Sequence, residues 1–223
     1  MNELTLAIDT THEFGSLALV SAGDVLDEVL LHAPEGFGQI LFGRIGQLLD
    51  RHGRNIADVD CFAAASGPGS FTGVRIGLAS VKGLAEAFQK KVVAVSNLAA
   101  MAAFGSAPLR ATVLDARRGE VYGAVYDAGG GLVQAETVMP FPAWLAALPE
   151  AVEFIATDFA PFAPALAGTR FAQAVVTIAP RALAGAIGRI AAVELRAGHA
   201  RDPAAIDANY VRRSDAELFW KEY

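Results

Sequence analysis

The chain has 223 residues, of which 53% are hydrophobic, with a mean hydropathy of +0.37 and a formal net charge of −6. No apolar run reaches the ~18–20 residues that a membrane-spanning helix needs. An acidic chain without a dense Lys/Arg cluster is a poor nucleic-acid binder on its own, and the single cysteine, Cys61, excludes an internal disulfide. We therefore expect a cytoplasmic protein that has no membrane association and reaches any nucleic acid through a partner.

The first half of the sequence predicts strands, followed by alternating helices and strands. Three strands come first, at 5–9, 16–21 and 25–32, with a hairpin turn at Gly23. The next elements are a helix at 39–52, a strand at 59–65, a helix at 72–89, a strand at 92–95 and a short helix at 98–104. This order predicts a mixed sheet with its first strand near the middle and helices on its faces.

Two turns in this half are candidates for binding an anion. The first strand ends in Asp9-Thr10-Thr11, and the segment Ser66-Gly67-Pro68-Gly69-Ser70 leads from a buried strand into a helix. Backbone N–H groups at a helix start suit a phosphate. The candidate anion or nucleotide site consists of Asp9, Thr10, Thr11, Gly67, Gly69 and Ser70. The alternative is two tight turns with local side-chain bonds, in which Ser70 or Thr72 caps the helix.

The helix at 72–89 carries small residues on nearly one face, namely Gly73, Gly77 and Ser80. Each glycine inside a helix costs roughly 1 kcal/mol relative to alanine, so the pair indicates a packing requirement. The face could contact a neighbouring helix of the core or form an intermolecular seam. We interpret it as a seam, so a large residue at position 77 should abolish docking and leave the fold intact.

The second half repeats the pattern of the first. We place the boundary at 105–108, with one lobe at 1–107 and another at 108–223 whose tail packs back on the first. Strands are predicted at 111–115, 121–126, 132–138, 153–156 and 174–178, and helices at 141–148, 181–197 and, in the tail, 216–220. Both halves open with a strand, an aspartate and a hairpin, at Asp9 and Asp115. This duplication is typical of the α/β actin-like ATPase and sugar-kinase fold with two lobes.

Four blocks in this order carry a family resemblance. They are Leu6–Thr11, Gly67–Gly77, Asp115–Tyr122 and Tyr210–Ser214. Together they resemble the TsaB (YeaZ) family. The resemblance implies a non-catalytic role in making threonylcarbamoyladenosine, a modification next to the anticodon of tRNA. It also implies a heterodimer with the catalytic TsaD-like paralogue, a TsaE-like ATPase as a further partner, tRNA contact only through the complex, and a homodimer when the chain is alone.

The resemblance also implies where the partner docks. In the family, the helix at 39–52 and the following helix form the interface with the paralogue. On this chain the interface residues would be Gln39, Phe42, Ile45, Gly73, Arg75, Ile76, Gly77 and Ser80.

The segment 95–102 has none of the residues that ligate iron or zinc. The catalytic paralogues carry a His-x-x-x-His pair there, whereas this segment has no His, Asp, Glu or Cys. We therefore predict no metal, no catalytic residue and no required cofactor, and leave ATP or ADP binding open. The competing function is an ATP-dependent phosphotransferase with Asp9 near the metal, although Gly129-Gly130-Gly131 lies in a hairpin and not in an adenosine-binding loop.

Two arginines remain after these assignments. Arg117 and Arg118 could contact a phosphate or pair with Asp115 and Glu120, and we favour pairing. The four histidines have no ligand spacing, and Cys61 lies in an apolar run that disfavours a nucleophile.

Overall fold

A computed structural model describes residues 3–212 of the chain. Met1, Asn2 and residues 213–223 lie outside the described residues, and with them Arg213, Ser214 and the helix predicted at 216–220. The strands are β1 Leu4–Asp9, β2 Phe14–Ser21, β3 Asp24–His32, β4 Cys61–Gly67, β5 Lys91–Ser96, β6 Leu109–Arg117, β7 Glu120–Asp127, β8 Leu132–Pro140, β9 Glu153–Ala156 and β10 Val176–Ile178. The α-helices are α1 Leu41–Arg51, α2 Phe71–Phe88, α3 Asn97–Ala102, α4 Phe141–Ala147 and α5 Ala184–Arg196.

The chain divides into two units that do not follow the predicted boundary at 107/108. The first unit comprises Met1–Asn97 and Arg181–Asn209, and the second comprises Leu98–Pro180 and Tyr210–Tyr223. The turn at 105–108 belongs to the second unit because the Glu153 carboxylate accepts the backbone N–H groups of Ser106 and Ala107, each at 2.7 Å. The predicted C-terminal lobe is therefore interrupted by a segment that returns to the first unit.

The first unit is built on a five-stranded sheet in the order β3-β2-β1-β4-β5. β1 pairs antiparallel with β2 and parallel with β4, which makes it the central strand. All six residues of β1 are buried, as expected for a strand that is covered on both faces. The predicted central position of the first strand is confirmed.

Helices cover both faces of this sheet. Leu6 and Ile8 share one hydrophobic cluster with residues of α1 and α2, including Leu48 and Leu78. Ala7 points to the opposite face because side chains alternate along a strand. There it meets α5, where a Cβ on Gly188 would lie 3.3 Å from the Ala7 Cβ atom.

The second unit repeats the topology of the first. Its sheet has the order β8-β7-β6-β9-β10, in which β6 pairs antiparallel with β7 and parallel with β9. These relations match those of β1 with β2 and β4, so the predicted duplicated α/β fold of the actin-like class is confirmed. An aromatic core covers one face and contains Phe141, Trp144, Phe154, Phe159, Phe162 and Phe171. No helix within residues 3–212 has the length and apolar character to cross a membrane.

Candidate functional site

The turn after β1 closes on its own side chains. Oδ1 of Asp9 accepts the backbone N–H of Thr11 at 2.9 Å and the Thr11 hydroxyl at 2.7 Å. The Asn97 side-chain amide donates to Thr11 Oγ1 at 2.8 Å. Asp9, Thr11 and Asn97 are all buried. Asp9 therefore serves as the acceptor of a local turn, which is the alternative that its sequence context left open.

The glycine-rich turn before α2 packs directly against the turn at Thr10 and Thr11. The backbone N–H of Ser70 donates to the Thr11 carbonyl at 2.7 Å, and a Cβ on Gly69 would lie 2.6 Å from the same oxygen. Ser70 Oγ accepts the Gly73 N–H at 3.2 Å, which confirms the predicted cap.

The residues of the candidate anion site thus come together in space. The N–H groups of Thr11, Ser70 and Gly67 are already bonded within the chain. Thr11 donates to Asp9 Oδ1, Ser70 donates to the Thr11 carbonyl, and Gly67 donates to Asn97 Oδ1 at 3.2 Å. The arrangement is a close-packed strand-to-helix junction. Binding of a nucleotide or other anion by this chain stays a prediction.

The small residues of α2 face inward. A Cβ on Gly77 would lie 2.7 Å from Thr10 Oγ1, and one on Gly73 would overlap the Thr10 carbonyl oxygen. Ser80 is buried, and its hydroxyl donates to the Ile76 carbonyl at 2.8 Å. The interpretation of Gly73, Gly77 and Ser80 as a surface seam is therefore wrong: the glycines make room for a turn of the same chain. A large residue at position 77 would disturb the fold, contrary to the sequence prediction.

The outward sides of helices α1 and α2 each carry an exposed aromatic ring. Phe42 on α1 is 56% exposed and Phe71 on α2 is 39% exposed. The guanidinium carbon of Arg75 lies 3.7 Å from the centroid of the Phe71 ring. We use the name outer helical face for a set of residues that are exposed or half-buried. They are Gln39 just before α1, Phe42, Gly43 and Gly46 on α1, and Phe71, Arg75, Ala79 and Gly83 on α2.

The predicted interface residues divide between the core and the outer helical face. Ile45 is 3% exposed and belongs to the hydrophobic core, so its assignment to an interface is wrong. Ile76 packs partly buried against the same core. Gln39, Phe42 and Arg75 are exposed, and their place in an interface stays a prediction. The signal that separates the two sets is the 3.6-residue period, since Ile45 shares its face of α1 with Leu41, Leu48 and Leu49.

Sequence reasoning missed Gly43 and Gly46. A Cβ at either position would meet nothing within 4 Å. Both glycines stand inside α1. The available signal was the position of Gly46 four residues after Phe42, which places it on the same side of the helix as that exposed ring.

In the turn between β6 and β7, Asp115 and Glu120 hold groups other than the Arg117 guanidinium. Glu120 forms an ion pair with Arg212, whose guanidinium also donates to the Ala116 carbonyl at 2.9 Å. The Asp115 carboxylate accepts the backbone N–H of Arg117 at 2.7 Å. The Glu120 carboxylate is thus held by Arg212, and pairing of Arg118 with a nearby acid stays a prediction.

The four histidines lie apart from one another in contacts of their own. Each histidine contacts a different partner: His12 meets Thr11, His32 meets Glu13, His52 meets Asp27 and His199 meets Glu194. Burial raises the pKa of the Cys61 thiol to about 12, so it stays protonated at neutral pH. Among residues 3–212, no group of three His, Cys, Asp or Glu side chains could hold a metal ion.

Comparisons with known proteins agree on one family. Residues 33–177 match the family model described as TsaD, tRNA N6-adenosine threonylcarbamoyltransferase. The tRNA threonylcarbamoyladenosine biosynthesis protein TsaB of Escherichia coli is 38% identical over 125 residues, which cover 54% of each chain. The protein of the same name from Bacillus subtilis is 34% identical over 137 residues, covering 60% of this chain and 59% of that one. The matched part thus spans little more than half the length of these relatives.

A solved structure extends the similarity to nearly the whole chain. YeaZ from Pseudomonas aeruginosa superposes with a TM-score of 0.76 at 28% sequence identity, covering 93% of this chain and 99% of that one. The likeness therefore includes both units, beyond the segment that matches the curated relatives.

Proposed function

Because the chain belongs to the TsaD family of tRNA N6-adenosine threonylcarbamoyltransferase and to its TsaB (YeaZ) branch, we propose that it is a non-catalytic docking subunit in the biosynthesis of threonylcarbamoyladenosine in tRNA. Its principal partner is a TsaD-like catalytic paralogue, and a TsaE-like ATPase joins the complex. The chain requires no cofactor of its own in this role and acts by holding the paralogue in a competent arrangement.

The outer helical face is the observation that carries this proposal. Phe42 and Phe71 present apolar rings to solvent on α1 and α2, which cover the same face of the first sheet. Exposed aromatic side chains are enriched at protein interaction sites. Arg75, stacked on Phe71, adds a guanidinium of the kind that is enriched at interface hot spots.

The glycines of α1 support helix-to-helix docking in particular. Gly43 and Gly46 each cost α1 roughly 1 kcal/mol relative to alanine. Among residues 3–212, no atom lies within 4 Å of a Cβ added at either glycine, so packing against these residues does not offset the cost. A partner helix that approaches the bare backbone can recover it, because the absence of side chains lets two helices pack at a short interaxial distance.

The chemistry at Asp9 supports docking over phosphotransfer. Its side chain is 1% exposed and its Oδ1 atom already accepts two hydrogen bonds from Thr11. A carboxylate that positions a metal-bound nucleotide needs free oxygen atoms directed at that metal. Asp9 instead stabilises the turn on which α2 packs.

A homodimer of the isolated chain follows from the same surface. Two copies related by a twofold axis present identical patches to each other. The outer helical face would then be shared by the two assemblies, and the paralogue would displace the second copy.

The test is co-purification of the chain with the TsaD-like paralogue of its host, followed by size exclusion with light scattering. We expect Phe42→Ala and Phe71→Ala each to weaken the heterodimer about thirtyfold, the effect of losing about 2 kcal/mol at a hot spot. Circular dichroism should show an unchanged fold, because both rings are exposed.

Leu132→Ala is the matched control, since Leu132 is 55% exposed on β8 of the second unit. It should leave assembly unchanged. Equal assembly by the wild type and both phenylalanine variants would exclude the outer helical face as the docking site. Absence of any wild-type complex would contradict the docking function, and ATP calorimetry would then test the phosphotransferase alternative.

A further inference from the structure

Strand β10 is an edge strand of the second sheet. Among the strands within residues 3–212, it pairs with β9 alone. The Val175 carbonyl and the Ala179 N–H each form a hydrogen bond with β9, at 2.9 Å. Because backbone groups alternate between the two sides of a strand, the N–H and C=O groups of Val176 and Ile178 point away from β9. In the described part of the chain, no other strand receives these four groups.

The three other sheet edges are protected against pairing with a further strand. Natural proteins use charged side chains, proline or a covering segment for this purpose. The protecting features are Asp24, Asp27 and Glu28 on β3, the main-chain bridge from Arg201 to Val92 on β5, and Glu136 and Pro140 on β8. In contrast, residues 174–179, which include β10, contain no charged residue, no proline and no glycine.

The composition and exposure of β10 define what can pair with it. Val175, Val176 and Ile178 are all exposed, and β-branched residues favour an extended strand. Unpaired backbone groups beside such side chains are a template for another strand. The outward N–H and C=O groups are therefore matched by the acceptors and donors of a second extended backbone.

We propose that β10 pairs with β10 of a second copy of this chain, antiparallel and about a twofold axis at Thr177. In this register Val176 of each copy lies opposite Ile178 of the other. Each such pair exchanges two hydrogen bonds, so all the outward backbone groups of both residues are satisfied. The inference concerns the second unit alone and does not depend on the proposed function.

Neighbouring registers satisfy fewer of these groups. An axis at Val176 would place Ile178 opposite Ala174, whose N–H already donates within the chain at 2.9 Å. An axis at Ile178 would place Val176 opposite Pro180, which has no N–H to donate. The backbone therefore selects the axis at Thr177.

A second copy suits this edge because the edge is complementary to itself. Val176 and Ile178 lie on one side of β10, so the axis brings four β-branched side chains together, and such cross-strand pairs stabilise a sheet. Identical edges without charged residues meet without local repulsion, although each chain has a net charge of −6. A strand of three residues is short for the ~1,000 Å² of a stable interface. We therefore expect a weak dimer that forms at high protein concentration.

The test is sedimentation velocity of the Phe42→Ala/Phe71→Ala chain, in which association through the outer helical face is weakened. Between about 10 μM and about 1 mM, the mass should rise from that of one chain, 23.3 kDa, toward that of two. Ile178→Lys should keep the mass at that of one chain. Val176→Glu combined with Ile178→Lys should restore the dimer, because the new carboxylate faces the new ammonium in both pairs.

Val133→Lys is the matched control, because Val133 is exposed on the edge strand β8. It should leave the dimer unchanged, and circular dichroism should show the same fold for every variant. A chain that stays monomeric at all concentrations, or that dimerises equally with Ile178→Lys, would overturn the inference. Large irregular species would also overturn it, in favour of aggregation.

Cross-linking tests the register independently of affinity. The axis places Thr177 opposite Thr177 of the second copy in a non-hydrogen-bonded pair, with Cα atoms ~4.5 Å apart, which a disulfide can span. Thr177→Cys should therefore form a covalent dimer under oxidising conditions, whereas Ile178→Cys should not. Buried Cys61 is the same background in both variants. Equal cross-linking of the two variants, or of neither, would overturn the register and with it the inference.

Discussion

Glu153 at the start of β9 is a buried acid with a structural task. Its Oε2 atom accepts the N–H groups of Ser106 and Ala107, and its Oε1 atom accepts the Thr177 hydroxyl at 2.6 Å. Burial alone would raise the pKa of this carboxyl. The three hydrogen bonds outweigh burial and, with the nearby charge of Arg110, hold the pKa below its usual 4.5. The charged form therefore joins β9, β10 and the turn before β6.

This shift predicts a pH-dependent stability. Since the folded pKa lies below the unfolded one, ionised Glu153 stabilises the fold fully above pH 4.5, and the contribution is lost as pH falls through the folded pKa. Glu153→Gln should lower the free energy of unfolding by about 2 kcal/mol at pH 7. The difference from the wild type should shrink below pH 4.5.

Urea unfolding followed by circular dichroism at several pH values measures this difference. Glu150→Gln removes the same charge from an exposed position and controls for net charge. A difference that stays constant as the pH is lowered would contradict the assignment of Glu153.

The structural role of Glu153 could not be predicted from the sequence. The Ser70 cap and the local turn at Asp9 were foreseen because their partners lie within three residues along the chain. The partners of Glu153 lie 24 to 47 residues away. No local pattern encodes such contacts, so they emerge only when the sheet brings the strands together.

At the scale of elements, α2 shows how one helix uses glycine in two ways. Gly73 and Gly77 admit the turn at Thr10, whereas Gly83 has open space around it. The strand and helix positions of the first unit could be predicted because their periods are strong. The buried side of α2 was not predicted, because the glycines were assigned to a surface although they lie beside the buried Val74, Leu78, Val81 and Ala85. The sequence does not reveal that the turn at Thr10 occupies the space beside Gly73 and Gly77.

The two kinds of glycine predict opposite responses to the same substitution. Gly73→Ala should destabilise the chain by about 1–3 kcal/mol, because the new methyl group overlaps the Thr10 carbonyl. Gly83→Ala should stabilise it by about 0.5–1 kcal/mol, because alanine favours the helix and meets no obstacle. Chemical denaturation of both variants beside the wild type provides the comparison. Equal shifts of the same sign would show that helix propensity, and not packing against the turn, governs α2.

At the scale of the whole molecule, the chain leaves the first unit and later returns to it. Helix α5 packs on the face of the first sheet that bears Ala7 and Val20. The hydroxyl of Ser16 on β2 accepts the N–H groups of Leu183 and Ala184 at 3.0 and 2.9 Å. Neither the packing of α5 nor the hydrogen bonds of Ser16 could be predicted from the sequence. The helix at 181–197 was assigned to the second lobe because the chain is continuous there.

A truncation after Pro180 should therefore destabilise the sheet of the first unit, although the strands of that sheet lie in the N-terminal half of the sequence. Without α5, we expect hydrogen exchange to lose protection in β1–β5, whereas β6–β9 keep most of theirs. A chain that ends at Arg212 retains every contact described here and serves as the control. Unchanged protection of β1–β5 in the shorter chain would contradict the structural role of α5.

The position of α5 also sets the order of events during translation. The first sheet is synthesised early, but its covering helix follows the 83 residues of Leu98–Pro180, a delay of about 4–17 s at about 5–20 residues per second. All five strands of the second sheet lie within that interval. The face of the first sheet that bears Ala7 and Val20 therefore stays without its covering helix until the whole second sheet has been synthesised.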